Sequence, residues 1–241
     1  MNNYEFVDEV WALVPARSGS KRLKNKNLKK IKNLSLVARA IINCKKSINI
    51  DRTFLSTNSK KIKNEGLKYG AEVPFLRSKK NSQDNSNDFD VIKEFLDKVN
   101  KIEKKIPDYI IFIRPTTPIR DSVLVDKAIK KFRSLKDYDS LVSVHEMNEP
   151  VHKKFFIKKN KLKPAIGNLT LDQANNPRQN FKKSYTANGY LDLIKTKNII
   201  LKKNYLGRDC YPFITQSVID IDDQIDFEIA KFFISSKNLN V

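Results

Sequence analysis

The sequence contains few of the residues that build metal centres or disulfide frameworks. Its 241 residues include two cysteines and two histidines. Cys44 and Cys210 lack metal-motif spacing and are too few for a disulfide framework, so we expect both to be reduced. His145 and His152 lie seven residues apart without a carboxylate cluster, which is poor evidence for a metal site. Neither residue type therefore indicates a zinc centre or a disulfide-stabilised fold.

Long apolar runs and an export signal are also missing. The apolar runs fall well short of the roughly 18 residues that a membrane-spanning helix needs. Residues 1–5 show no basic segment followed by an apolar one. We therefore expect a cytoplasmic protein without a membrane partner. With 40% hydrophobic residues, the chain can fold as a single domain, residues 1–241, around a substantial core.

Negative charge is scarce relative to positive charge. There are 47 Lys and Arg against 27 Asp and Glu, a formal net charge of +20 that would attract any polyanion. The basic residues are scattered together with many Asn and Ile, instead of forming one arginine-rich stripe with aromatic residues between them. We interpret the excess as a compositional bias and expect no nucleic-acid partner. A basic nucleic-acid-binding protein, with affinity that falls steeply with salt, is the alternative of another class.

A candidate phosphate-binding loop follows the first apolar run. Residues 10–14 predict a buried strand, and the spacing over 34–42 predicts a helix. A strand, a glycine-containing loop and a helix bind phosphate in α/β folds through backbone N–H groups and the positive potential of the helix start. Arg17, Lys21 and Lys26 add full charges. No Gly-Lys-Ser or Gly-Lys-Thr closes the loop, which disfavours a P-loop ATPase, and a solvated surface turn is the alternative.

The rest of the chain repeats the order of strand, loop and helix. This order is typical of a mostly parallel, twisted sheet with helices on both faces. After residue 144 the alternation breaks down, and hairpin pieces are expected at 155–157 and 161–162. The predicted helices are 35–47, 60–69 (capped by residues 58–59), 89–101, 122–132 and 227–235. The later strands are 53–57, 108–113, 140–144 and 191–194, with a strand or extended segment at 73–76.

Two polar segments come next to predicted strands. Residues 79–88 form the most polar loop, read as a surface loop ending in a helix-capping Asp88. Residues 114–121 follow the most apolar strand, where ligands bind in parallel sheets. In that segment two hydroxyls can donate to substrate oxygens, and Arg120 can pair with an anion or cap Asp121. A purely structural turn is the alternative.

A candidate magnesium site lies near the C-terminus. Asp220 and Asp222 are two residues apart, so in an extended chain both side chains point the same way and can share one cation. Mg²⁺ takes one or two carboxylates from protein, with water and substrate phosphate as its other ligands. The alternative is that Asp222 and Asp223 only cap the final helix.

Five short segments, taken in order, resemble one family. The segments are A-R-x-G-S-K at 16–21, P-T-T-P-I-R at 115–120, P-R-Q at 177–179, N-G at 188–189 and D-I-D at 220–222. Together they resemble the CMP-acylneuraminate synthetases, which are cytidylyltransferases. The resemblance implies a Rossmann-like nucleotidyltransferase with an inserted β-rich arm at about 145–190 that forms a homodimer and closes over the sugar site of the neighbouring subunit. It also implies transfer of CMP from CTP to the anomeric hydroxyl of a nine-carbon, sialic-acid-like α-keto sugar acid, with release of pyrophosphate, for surface glycan synthesis.

The resemblance also assigns roles to residues. It assigns catalytic roles to Arg17, Lys21 and Asp222. Asp220 and Asp222 are assigned to the binding of Mg²⁺. The nucleotide is assigned to Ala16, Arg17, Ser20, Lys21, Lys26, Asn27, Gln83, Asp84 and Asn85. The sugar acid is assigned to Arg114, Thr116, Thr117, Arg120, Arg178, Gln179 and Asn188. No residue stands out as a general base.

Two positions depart from the family pattern. Arg114 stands where a Gln is usual, and Thr186 stands where an Arg often precedes N-G. Both departures leave the identity of the sugar acid open among sialic, legionaminic and related acids. A 3-deoxy-manno-octulosonate cytidylyltransferase and a non-catalytic nucleotide-binding relative are the alternatives.

Overall fold

The computed structural model describes residues 4–236, so residues 1–3, on which the expected lack of an export signal partly rests, lie outside it. The strands are β1 (Glu5–Pro15), β2 (Lys30–Ile31), β3 (Leu34–Ser35), β4 (Arg52–Ser56), β5 (Lys105–Phe112), β6 (Ser140–Glu146), β7 (Phe155–Lys158), β8 (Lys161–Pro164), β9 (Tyr185–Lys195) and β10 (Cys210–Ile214). The helices are α1 (Leu36–Lys46), α2 (Lys60–Lys68), α3 (Asp88–Glu103), α4 (Ser122–Ser134), α5 (Leu171–Ala174) and α6 (Gln224–Ser236). Within residues 4–236, no helix combines the length and apolar character needed to cross a bilayer.

Six strands form the central sheet, in the order β10-β6-β9-β5-β1-β4. β1 pairs in parallel with β4 and β5, and β10 pairs in parallel with β6. β9 runs antiparallel to both of its neighbours, β5 and β6. The predicted α/β fold with a mostly parallel sheet is therefore confirmed, with one reversed strand in its interior.

The side chains of β1 alternate between two helical layers, as the period of two in a strand requires. Val10, Ala12 and Val14 pack with α1, α2 and α4 on one face of the sheet. Trp11 and Leu13 pack with α3 on the other. All five are fully buried, and β1 lies between β5 and the edge strand β4.

The caps of two helices affect the site. Asn87, and not the predicted Asp88, caps α3, because the Asn87 side chain accepts a 2.8 Å bond from the N–H of Asp90. The carboxylate of Asp88 is thereby left for Arg114, 2.6 Å away. Asp121 caps α4 by accepting from the N–H of Val123, which ends the segment that follows β5.

Two sequence predictions need correction. Residues 73–76 form no strand: only the preceding residue, Glu72, bridges to Phe54, and Pro74 has no N–H to give to a ladder. Asn188 and Gly189 lie inside β9, which begins at Tyr185 and not at 191, and residues 188–191 bulge opposite Ser143. Gly189 has a φ of +69°, and a Cβ there would meet Thr117 Oγ1 at 3.4 Å, so the bulge depends on glycine.

The chain between β6 and β9, residues 147–184, forms a separate arm. It contains the predicted hairpin, β7 paired with β8, and the short helix α5. The arm leaves the sheet after Glu146 and returns at Tyr185, which pair with each other across the two strands. Four exposed apolar side chains lie on the hairpin: Phe155, Phe156, Ile157 and Leu162.

Candidate active site

A cavity of about 530 Å³ opens beyond the carboxyl ends of β1 and β5. Four segments that are distant in the sequence line it. They contribute Pro15, Arg17, Ser20, Lys21, Arg22, Leu23, Lys26 and Asn27 from the first loop, Arg77, Asn81, Gln83, Asp84, Ser86, Asp88 and Val91 from the second, Arg114, Pro115 and Thr116 from the third, and Asp222. We call this the nucleotide cavity. Ala16 is fully buried behind it and donates its N–H to the carbonyl of Ser56, and Asn85 does not line it.

The first loop is held by its own polar side chains. Asn27 is buried and donates from Nδ2 to the carbonyl of Arg17 at 2.9 Å. Asn25 adopts a left-handed conformation with a φ of 55° and begins the 3-10 turn Lys26–Leu28. The strands β2 and β3 then separate this turn from α1, and no residue of α1 lines the cavity. The prediction that the start of this helix contributes positive potential to the phosphate site is therefore wrong. Cationic side chains supply the positive charge instead.

Each predicted phosphate-binding cation is paired with a carboxylate. Arg17 Nη2 and Lys21 Nζ contact the two oxygens of Asp84 at 2.7 and 2.5 Å. These hydrogen bonds, from Lys21 first and then Arg17, lower the pKa of Asp84 below its usual value. Lys26 Nζ donates to the carbonyl of Ile221 at 2.7 Å and to Asp222 Oδ1 at 3.2 Å. The cations are thus held in the cavity, where the phosphates of a ligand can replace the carboxylates.

Arg77 is a cavity residue that sequence reasoning missed. Arg77 is only 7% exposed, and neither Nε nor Nη2 has a hydrogen-bond partner among residues 4–236. Burial lowers the pKa of Arg77 to about 10. A buried cation without partners costs stability unless a ligand supplies the missing acceptors. The position of Arg77 two residues before the polar segment 79–88 was the available signal, and its unpartnered nitrogens indicate an anion-binding role.

Arg114 separates the nucleotide cavity from a second one of about 410 Å³, which we call the acceptor cavity. Arg114 lines both of them. Its Nη1 lies 2.7 Å from Asp192 Oδ2, and its Nη2 lies 2.6 Å from Asp88 Oδ2. Burial acts to lower the pKa of Arg114, but the charges of Asp192 and Asp88 raise it above its usual value. The other residues of the acceptor cavity are Val142, His145, Ala187, Asn188, Gly189, Asp192, Tyr205, Leu206, Val218 and Asp220.

The predicted sugar-binding residues separate into distinct groups. Thr116 lines the nucleotide cavity, and Asn188 lines the acceptor cavity with its Nδ2 donating to Thr215 Oγ1 at 2.7 Å. Thr117 and Arg120 line neither cavity. Thr117 is fully buried and donates to the carbonyl of Gly189, while Arg120 donates from Nε to the carbonyl of Tyr190 at 2.7 Å. In the structure these two side chains hold the loop that follows β5 against β9.

Arg178 and Gln179 lie in the arm, apart from both cavities. They line a third cavity of about 450 Å³. There Arg178 Nη2 contacts Glu146 Oε1 at 2.8 Å, and Lys183 contacts the other oxygen of Glu146 at 2.7 Å. The structure does not bring Arg178 and Gln179 together with the other predicted site residues of the same chain.

The two predicted metal ligands lie at the two cavities. Asp222 lines the nucleotide cavity, and Asp220 lines the acceptor cavity. Capping of α6 falls to Asp226 and Asp223, since Asp226 Oδ2 accepts from the N–H groups of Asp222 and Asp223, and Asp223 Oδ1 accepts from that of Asp226. Residues 4–236 contain no group of three or more His, Cys, Asp or Glu arranged for a metal. Mg²⁺ needs only one or two carboxylates beside phosphate and water, so this donor set fits it.

Comparison with known proteins shows the family of the chain. Residues 11–225 match the cytidylyltransferase family. The chain is 29% identical over 236 residues to post-translational flagellin modification protein B of Campylobacter coli, covering 97% of this chain and 98% of that protein. It is 28% identical over 232 residues to the N-acylneuraminate cytidylyltransferase of Escherichia coli, covering 95% of this chain and 53% of that protein.

A third relative and a solved structure extend the comparison. The CMP-N,N'-diacetyllegionaminic acid synthase of Campylobacter jejuni is 29% identical over 235 residues, which is 96% of this chain and 97% of that protein. The structure of CMP:2-keto-3-deoxy-manno-octonic acid synthetase complexed with CTP superposes with a TM-score of 0.72 at 12% identity, over 95% of this chain and 100% of that one. This likeness confirms the Rossmann-like nucleotidyltransferase fold. The chain belongs to the cytidylyltransferase family and is an enzyme of the cytidylyltransferase type.

Proposed function

We propose that this enzyme transfers CMP from CTP to the anomeric hydroxyl of a nine-carbon α-keto sugar acid and releases pyrophosphate. The observation that carries the proposal is the pair of cavities that meet at Arg114. One is lined by six cationic side chains, which suit a triphosphate: Arg17, Lys21, Arg22, Lys26, Arg77 and Arg114. The other, with mixed polar and apolar walls, suits a sugar. The names of the Escherichia coli and Campylobacter jejuni relatives favour a nine-carbon acid, and the reaction belongs to the cytoplasm, where CTP is available.

The chemistry asks the protein to position groups and to neutralise charge. The anomeric oxygen forms a bond to the α-phosphorus, the hydroxyl proton passes to solvent water, and the bond from the α-phosphorus to the oxygen of the leaving pyrophosphate breaks. In this proposal Arg17 and Lys21 exchange Asp84 for phosphate oxygens, and Lys26 stabilises the charge that builds on the leaving group. Asp220 and Asp222 would hold a Mg²⁺ ion, which supplies Lewis-acid stabilisation of phosphate oxygens.

The test measures pyrophosphate release from CTP and Mg²⁺ with a panel of nine-carbon keto sugar acids and the eight-carbon 3-deoxy-manno-octulosonate. We expect release with a nine-carbon acid, and a large loss in Asp222→Ala. Glu228→Ala is the matched control, because Glu228 is an exposed carboxylate on α6 outside both cavities. Release with the octulosonate alone would overturn the choice of acceptor. CTP binding without release across the panel would indicate the non-catalytic relative.

We also propose that the enzyme is a homodimer formed through the arm, with Arg178 and Gln179 contacting the acceptor bound by the neighbouring subunit. Phe156 and Ile157 on β7 are 66% and 78% exposed, and neighbouring exposed apolar side chains suit contact with a protein partner. Charging them in a Phe156→Lys, Ile157→Lys variant is expected to produce a monomer in sedimentation equilibrium. Ile225→Lys, an equally exposed apolar site on α6 at 70%, is the control. A wild-type monomer would contradict the proposal.

A further inference from the structure

The carboxylate of Asp192 is buried but not fully bonded. Its side chain is 6% exposed and lines the acceptor cavity. Arg114 Nη1 and Tyr205 Oη both donate to the same oxygen, Oδ2, each at 2.7 Å. The other oxygen, Oδ1, accepts no hydrogen bond from any residue between 4 and 236, and it is not among the fully enclosed polar atoms that lack a partner. One acceptor atom is therefore available to a ligand in this cavity.

The charge around Asp192 indicates which ligand group suits Oδ1. An ionised carboxylate only accepts hydrogen bonds, so the ligand group must be a donor. Arg114 already neutralises Asp192, and a second cation is not needed. A ligand anion placed against Oδ1 would face the negative charge of Asp192 itself and be repelled. A neutral N–H or O–H group fits best.

The walls of the acceptor cavity narrow the choice further. Four aliphatic side chains stand among its polar residues: Val142, Ala187, Leu206 and Val218. A hydroxyl alone would leave this apolar surface without contact. A short acylamino group matches both features, because its N–H is a neutral donor and its methyl group is apolar.

We propose that Asp192 is a specificity residue that accepts a hydrogen bond at Oδ1 from the N–H of an acylamino group on the acceptor sugar acid. This inference rests on the proposed function and names the substituent that the site selects. Arg114 and Tyr205 are positioning residues, because their two bonds to Oδ2 fix the carboxylate plane and direct Oδ1 to the ligand. The Arg114 bond to Asp88 holds the guanidinium from the nucleotide side.

The experiment compares two acceptors that differ in one atom. The first is a nine-carbon keto sugar acid with an acetamido group, and the second is its O-acetyl isostere, in which oxygen replaces the N–H. For the wild-type protein we expect kcat/KM for CTP-dependent pyrophosphate release to favour the acetamido acceptor by about 10- to 100-fold, the range for a hydrogen bond to a charged group. Equal rates with both acceptors would overturn the inference.

The Asp192→Asn variant gives a sharper test. Arg114 and Tyr205 both donate to Oδ2, so they would hold the amide oxygen of the variant there and turn its NH₂ group towards the ligand. An NH₂ group repels an N–H donor but can donate to an ester oxygen, so the preference is expected to disappear or reverse. A purely structural role would lower kcat/KM for both acceptors by the same factor. If Asp192→Asn does not fold, Tyr205→Phe keeps the carboxylate and is expected to reduce the preference by a smaller factor.

Asp88→Asn is the matched control. It removes the other carboxylate that contacts Arg114, on the nucleotide side, and is expected to raise the KM for CTP while the acetamido preference stays. A preference that falls equally in Asp88→Asn and Asp192→Asn would contradict a direct contact of Asp192 with the acceptor. No release from any nine-carbon acid, with CTP still bound, would instead mean that the proposed function is wrong. Release from both acceptors at equal rates would refute only the role of Asp192.

Discussion

Lys26 Nζ lies 3.2 Å from Asp222 Oδ1, although 196 residues separate the two in the sequence. The same amine donates to the carbonyl of Ile221, and the N–H of Ile221 donates to the carbonyl of Thr116 at 2.8 Å. One lysine and one backbone segment therefore join the first loop, the loop after β5 and the segment before α6 into one wall of the nucleotide cavity.

Removing this lysine should weaken nucleotide binding. In Lys26→Met we expect the affinity for CTP to fall by about 10- to 100-fold, because both a charge-assisted bond and the support of Asp222 are lost. Titration calorimetry measures the effect. Lys24→Met is the control, since Lys24 is exposed on the same loop and lines no part of the cavity. Equal losses in the two variants would mean that only the net charge of the loop matters.

Arg77→Met should separate binding from stability. The pKa of Arg77 is lowered by burial to about 10, so the folded chain holds this proton less tightly than the unfolded chain does. The charged guanidinium therefore opposes folding near neutral pH, and its cost is relieved only as the pH rises through about 10. We expect the Tm of Arg77→Met to stay the same or rise while CTP affinity falls by about 10-fold or more. A drop in Tm would show that Arg77 supports the fold instead.

Glu103 should stabilise the fold in a pH-dependent way. Arg52 donates to both oxygens of Glu103, and these bonds lower the pKa of Glu103 below its usual 4.5. The stabilisation is therefore present above pH 4.5 and is lost as the pH falls below it through the folded-state pKa. Glu103→Gln should cost about 1 kcal/mol in the free energy of unfolding at pH 7, and the difference should shrink near pH 3.

Urea unfolding at both pH values measures this difference. Glu228→Gln, whose exposed pair with Lys231 spans 3.4 Å, should change stability little at either pH. A Glu103→Gln effect that is the same at pH 3 and pH 7 would rule out the ionic contribution.

Two arginines of the predicted sugar site should behave in opposite ways. Arg120 is buried and donates to the carbonyls of Tyr190 and Arg114, so Arg120→Met should lower the free energy of unfolding by about 2 kcal/mol or more, since the carbonyls lose their donors. Arg178 is exposed and pairs with Glu146, so Arg178→Met should leave stability within about 0.5 kcal/mol. Thermal unfolding followed by circular dichroism distinguishes the two. An Arg120→Met variant as stable as the wild type would contradict this structural role of Arg120.

The sequence locates the nucleotide cavity well because strongly apolar strands end where polar residues begin. β1 and β5 are recognisable from their apolar runs, and the polar residues that follow them, Arg17 and Arg114, do line the cavity. The order of the segments, which carries the family resemblance, also locates Asp222.

Features that arise from tertiary contacts could not be predicted. A buried central strand has the same apolar pattern in either direction, so the reversal of β9 left no trace in the sequence. Asp192 becomes a site residue through its position on β9, where Arg114 and Tyr205 both donate to its carboxylate. Arg120 looked like a ligand residue, but the bulge in β9 offers it carbonyl oxygens that no local pattern shows.

The reversed direction of β9 also affects how this enzyme can diverge. Since β6 and β9 are antiparallel neighbours, the 38-residue excursion from 147 to 184 begins and ends at adjacent points of one sheet edge, with Glu146 opposite Tyr185. Insertions and deletions there change neither the register of the sheet nor the loops that surround the nucleotide cavity. The arm can therefore be replaced as a unit, in evolution or by protein engineering. Such a replacement would alter the surroundings of the acceptor and leave the nucleotide-binding part of the enzyme unchanged.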